Sequence, residues 1–99
     1  METITKQPSE VITYGIDFTA RMPSGSSLSS AVASAVFLGD GSNASSSVLT
    51  SETCTIASSV AKFTVQSGLN GGDYKITILA TLSNSNILEN DILMKVRSE

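Results

Sequence analysis

The groups able to do chemistry in this sequence are few and widely spread. Its 99 residues hold nine Asp and Glu, six Lys and Arg, one cysteine and no histidine. Without an imidazole there is no Ser–His dyad, no histidine base and no histidine ligand for zinc. Cys54 stands in Thr53-Cys54-Thr55-Ile56. A nucleophilic thiolate wants a basic partner, whereas a buried free cysteine behaves as a small hydrophobe. A carboxylate pair is open in form to Asp17, Asp40, Asp73, Glu89 and Asp91, but none of them makes a motif. Asp40 and Asp73 lie beside glycines, as turn residues do. Asp40-Gly41-Ser42-Asn43 lacks the ligand spacing and closing glutamate of a calcium loop. Gly68 and Gly71-Gly72 lead into neither a Lys-Ser/Thr pair nor a helix, so they do not cradle phosphate. The expectation is a non-enzyme with no cofactor and no metal.

Asp17 and Arg21 remain as the candidate interface residues. Both fall on the polar side of a long alternating stretch, four residues and therefore about 13 Å apart at strand rise. At that distance they cannot pair with each other. Each needs a cross-strand neighbour, a partner chain or water.

The stretch that carries them sets the fold class. Ile12, Tyr14, Ile16, Phe18, Ala20 and Met22 recur at every second residue, with Thr13, Gly15, Asp17, Thr19 and Arg21 between them. Such alternation predicts one strand from about Glu10 to Met22, apolar on one face and polar on the other. Before it, Glu2 to Lys6 is a short extended segment ended by Pro8, which belongs at an edge or corner. After it, Pro23-Ser24-Gly25-Ser26 is a turn. Leu28 to Leu38 is expected as a strand with Leu28, Val32 and Val36 on one face. Gly39 to Ser47 carries Ser, Gly and Asn and is expected to be a loop that buries nothing. Val48 to Ala57 holds one or two short strands, with Cys54 and Ile56 on one face, and Ala61, Phe63 and Val65 mark another. Tyr74, Ile76, Ile78, Ala80 and Leu82 then face Leu88, Ile92, Met94 and Val96 across Ser83-Asn84-Ser85-Asn86, a hairpin. Leu69-Asn70-Gly71-Gly72-Asp73-Tyr74 places a tyrosine where its hydroxyl can tie back to the upstream turn.

The sum is an all-β chain, a single immunoglobulin-like β-sandwich of about seven antiparallel strands over residues 1–99. Charged residues make up 15%, below the usual ~25%, with Ser and Thr in their place. A net charge of −3 with scattered cations argues against binding nucleic acid through its phosphates. No apolar run approaches the ~20 residues of a membrane span, and the polar opening interrupted by Pro8 does not read as a signal peptide. Synthesis in the cytoplasm is expected.

The segment Lys6-x-Pro8-x-Glu10-Val11-x-x-Tyr14-x-x-Asp17-Phe18-Thr19-Ala20-Arg21-Met22 resembles the start of small immunoglobulin-like virion proteins of tailed bacteriophages. Gly71-Gly72-Asp73-Tyr74 and Lys95-Val96-Arg97 are similar to their closing strands. The resemblance implies a structural part of the particle, either a fibre-tail adaptor or a head decoration or cement protein. Its partners would be other virion proteins (tail, fibre, portal-proximal or major capsid protein), with many symmetric copies per particle. Sheet edges and a hydroxyl-rich surface suit that role, because symmetry multiplies weak contacts. The alternative is a stand-alone carbohydrate- or ligand-binding β-sandwich, which would want exposed aromatics; most of the five here fall at inward positions.

Overall fold

A computed structural model describes residues 2–98. Its strands are β1 (Glu2–Lys6), β2 (Ile12–Asp17), β3 (Leu28–Phe37), β4 (Thr55–Ala57), β5 (Val60–Val65), β6 (Asp73–Leu82) and β7 (Ile87–Val96). A 3₁₀ turn covers Thr19–Arg21, and a single helical turn, α1, covers Ser45–Val48. The strands form two sheets, ordered β1-β7-β6-β3 and β2-β5-β4. Between them lies an aliphatic core whose fully buried members include Ile76, Ile78, Met94, Val48, Val65 and Phe18. The expectation of all-β structure holds.

The hairpin read from sequence is the backbone of the larger sheet. β6 and β7 pair from Asp73 opposite Lys95 to Thr81 opposite Ile87 without a register shift. Tyr74, Ile76, Ile78, Ala80 and Leu82 are all buried, as period-2 alternation requires. The tyrosine tie is present too: the Leu69 N–H donates to Tyr74 Oη at 2.9 Å. Gly68 lies beside this contact at φ +98°, and a Cβ there would meet Val96 Cγ2 at 2.8 Å, so both its conformation and its closeness demand glycine.

Four expectations need correction. First, the strand from Glu10 to Met22 stops at Asp17. Asp17 Oδ1 accepts from the Thr19 N–H (2.9 Å) and hydroxyl, a local bond that competes with the ladder and coils the chain. Phe18 is still wholly buried, but Ala20 is exposed and Met22 only half-buried. Second, β3 turns its alanines inward. A register shift between Leu28 and Ser30 leaves Leu28 inside and places Ala31, Ala33 and Ala35 on the core side, while Val32 is 50% exposed. One extra residue in a strand reverses every face beyond it. Third, residues 39–47 are not a loop that buries nothing. Ala44 and Ser45 are buried, and Ser45 Oγ accepts from the Ala35 N–H at 2.9 Å, docking α1 against β3. Fourth, not all strands are antiparallel, since β1 runs parallel to β7. No tight turn joins those two strands, so nothing local forces the antiparallel sense that hairpins impose.

Two stability outcomes follow. Ala33→Leu should cost about 1–3 kcal/mol by overpacking, while Val32→Ser should stay within about 0.5 kcal/mol; uninterrupted alternation from Leu28 would give the reverse order. Tyr74→Phe should cost roughly 1 kcal/mol by leaving the Leu69 N–H without its partner. Urea midpoints at unchanged slope measure all three changes.

Candidate functional site

The two candidate interface residues occupy different local settings, not one strand face. Asp17 ends β2 and its carboxylate accepts from Thr19, the first residue of the 3₁₀ turn; Arg21 lies within that turn. Arg21 Nη1 reaches across to the other sheet and donates to the Glu89 backbone oxygen of β7 at 2.9 Å. Its guanidinium lies 5.7 Å from the centroid of the buried Phe18 ring. Arg21 is therefore a tie between the sheets at the end of the molecule where β7 begins. Asp17 does not pair with it. The hydrogen bonds from the Thr19 hydroxyl and then the Thr19 N–H hold the Asp17 carboxyl below the usual carboxylate range. Ser42 does the same to Asp40.

The opposite end gathers most of the residues that carried the family resemblance. Lys6 is buried and was not anticipated as a core residue from sequence. Its Nζ donates to Gln7 O at 2.7 Å and to Pro8 O at 3.4 Å. Burial pulls its pKa down, and the Glu10 carboxylate partly restores it. Glu10 Oε1 in turn accepts from the Gln7 N–H at 2.7 Å. Lys-x-Pro-x-Glu is thus a self-closing turn that carries the chain from one sheet to the other. Beside it, Arg97 donates to Gly72 O and Val96 O and pairs with Asp73 at 2.8 Å. The Arg97 N–H donates to Lys6 O, which joins the two groups. A buried lysine in such a motif has a sequence signal only in hindsight: it is the last even-numbered position of a strand whose Ile4 also points inward.

Besides a small cleft at this crossing lined by Thr5, Lys6, Gln7, Glu10 and Arg97, two larger clefts lie elsewhere. One, of about 300 Å³, lies on the outer face of the smaller sheet and is lined by the hydroxyls of Thr13, Thr50, Thr55 and Thr64 with Lys62. The other, of about 410 Å³, is more apolar and lies between the loops near Phe37, Asn43, Leu69 and Tyr74. The Phe37 and Tyr74 rings stand 5.2 Å apart there. Phe18 and Phe63 are buried, and Tyr14 and Phe37 are half-buried against the core. Burial raises the pKa of the Cys54 thiol, away from the reactive thiolate. Among the described residues no group of three or more His, Cys, Asp or Glu is placed to hold a metal ion. No helix among them is long and apolar enough to cross a membrane.

What the fold offers is a small two-sheet β protein whose polar groups tie its ends and whose remaining features are edges, faces and shallow clefts, the anatomy of a contact module. The chain belongs to the family described as Podophage GP4 fiber-tail adaptor protein gp77, whose model matches residues 6–95. That match spans both sheets and every strand except most of β1. A comparison with curated proteins finds no match. Of the two kinds of virion protein that the resemblance implied, the family is the fibre-tail adaptor, a structural part of a bacteriophage particle.

Asp17 makes a pH prediction. Its carboxylate is favoured by bonds present only in the folded chain, so its folded pKa lies below the unfolded value of about 3.9. The stability it contributes is present above the unfolded value and is lost as pH falls through the folded one. Carbon-detected NMR titration should give an Asp17 midpoint below 3.9, moving toward the unfolded value in Thr19→Val.

Proposed function

We propose that this chain is a non-enzymatic connector in a phage tail, holding fibre to tail by repeated edge and face contacts of one β-sandwich module formed by residues 1–99. The observation that carries this reading is the family match over residues 6–95. The strand orders support the immunoglobulin-like part of it. β2-β5-β4 and β3-β6-β7 follow the two-sheet arrangement of such sandwiches, with β1 added beside β7. The tie from Leu69 to Tyr74 is a further mark of that fold.

A connector needs two separate surfaces, and the two ends of this molecule differ in kind. Its extents are 44 × 23 × 21 Å, so partners at opposite ends are kept well apart. One end carries the apolar cleft of Phe37 and Leu69; the other carries the Asp17–Arg21 turn, with Asp17 and Arg21 as contact residues. Contacts made this way are individually weak, and repetition around a symmetric tail makes them durable.

The test uses the purified chain with separately purified tail and fibre proteins of its phage. Co-sedimentation should find it bound to both, and mass spectrometry should find it in intact virions. A chain that binds neither component and is absent from particles would overturn the reading.

A further inference from the structure

The outer edge of β7 is covered along only part of its length. β1 pairs with it from Glu2 opposite Ile92 to Lys6 opposite Val96. Among the described residues, none pairs with Ile87–Asn90 on that side. Alternation shows which backbone groups this leaves. Successive strand residues turn their N–H and C=O to opposite neighbours. Val96 serves the β6 side, donating to Gly72 O and accepting from the Gly71 N–H, whereas the Arg97 N–H serves β1 by donating to Lys6 O. The β6–β7 register runs without interruption, so Ile87 and Glu89 direct their backbone groups to the uncovered edge. The Glu89 oxygen is the one that Arg21 holds at 2.9 Å.

Three side-chain features gather at this stretch. Asn90 faces the inner side of the sheet, and its Nδ2 is buried with no hydrogen-bond partner. A buried unpaired amide is costly and rare in a native structure. Ile87 is 64% exposed, the most exposed of the large apolar side chains among the described residues. Glu89 and Asp91 lie on the outer face, and Glu2 starts β1 next to the gap. Asp91 shares Lys75 at 3.9 Å, while Glu89 has no ion-pair partner among the described residues.

We infer that Ile87–Asp91 is a docking edge for an extended, basic segment of a partner protein, added as a strand in line with β1. Lysine or arginine on the outer face of that strand would meet Glu89 and Asp91, and aliphatic side chains would turn inward. The strand supplies an N–H for the Glu89 oxygen and a carbonyl for the Glu89 N–H. Arg21 caps the edge until then: its guanidinium occupies the carbonyl the strand would use, and a side-chain rotation releases it. Open edges invite indiscriminate pairing, and a charged cap of this kind limits it. Strand addition takes affinity from main-chain bonds and selectivity from alternate side chains. The inference rests on the connector reading only for the partner being another virion protein.

The test uses the whole chain and two short synthetic peptides, one alternating lysine with valine and one alternating glutamate with valine. Amide exchange followed by NMR should show Ile87 and Glu89 protected by the lysine peptide, which should bind about tenfold tighter than the glutamate peptide. Glu89→Lys should reverse that preference, and Arg21→Ala should strengthen binding by removing the cap. Unchanged protection of β6 would show that each variant remains folded. Equal binding of the two peptides, protection at the β2 edge instead, or self-association of the free chain through Ile87 and Glu89 would each overturn the assignment. If the peptides behave as expected while tail and fibre proteins fail to bind, the connector reading alone falls.

Discussion

The crossing between β1 and β2 is the constraint from which the rest of the architecture follows. Five residues, Gln7 to Val11, carry the chain from one sheet to the other. Several bonds hold so short a crossing: Lys6 Nζ bonds Gln7 O and Pro8 O, Glu10 Oε1 closes onto the Gln7 N–H, and the Glu10 N–H donates to Gln7 O. Taking a lysine out of water is expensive unless its donors are satisfied. Here two of its three donors are met by the turn's own backbone, and the Glu10 carboxylate favours the charge. With the crossing fixed at this end, β1 must run back along β7 in the parallel sense. Arg97 then fastens the last strand to the same place through Lys6 O and Asp73. The Arg97–Asp73 pair is itself about two-fifths exposed, so its worth is positional more than energetic.

Much of the fold was readable in the sequence because alternation is a direct image of a two-sided sheet. The β6–β7 hairpin, β5 and the tyrosine tie needed no more than period-2 counting and turn chemistry. Two of the failures share one cause, which is counting in twos past a point where the backbone changes step. The shift between Leu28 and Ser30 reversed the faces of β3, and the Asp17–Thr19 bonds ended β2 before Ala20 and Met22. Ser29-Ser30 has no composition that marks an extra residue, and Asp-x-Thr within an alternating run looks the same whether it stays extended or coils. Ser45 was missed for a different reason. Its burial depends on one hydrogen bond to a backbone group ten residues away in sequence, and serine carries no hydrophobic signal of such an attachment.

The candidate site was partly readable in a way that separates residue type from residue role. A charged pair in a Ser/Thr-rich strand pointed to Asp17 and Arg21 as residues with a task. The task depends on tertiary placement: Asp17 stops a strand, and Arg21 spans to a strand sixty-eight residues later in the chain. Lys6, the most buried charged residue among those described, was visible only as part of a family pattern. That pattern describes a turn that must close, so it would persist whatever the protein later binds.

A connector of this size meets two demands that pull against each other. It needs unpaired edges and apolar surface for its partners, and it needs those same features guarded while it is free in solution. The β7 edge shows how both are met. Among the described residues, β1 covers the half next to the Lys6 crossing, from Glu2 opposite Ile92 to Lys6 opposite Val96, where the ladder also stabilises the fold. The uncovered half carries charges on its outer face and a single arginine on its exposed carbonyl. Arginine suits that place because its planar donor group can leave one acceptor for another without burying a charge. Its guanidinium meanwhile lies over the ring of Phe18, which is wholly buried. Opening the edge costs one exposed hydrogen bond and the guanidinium's contact with the Phe18 ring, whereas adding a strand satisfies several backbone groups at once. The balance favours an edge closed to chance encounters and open to a strand of matching length and charge.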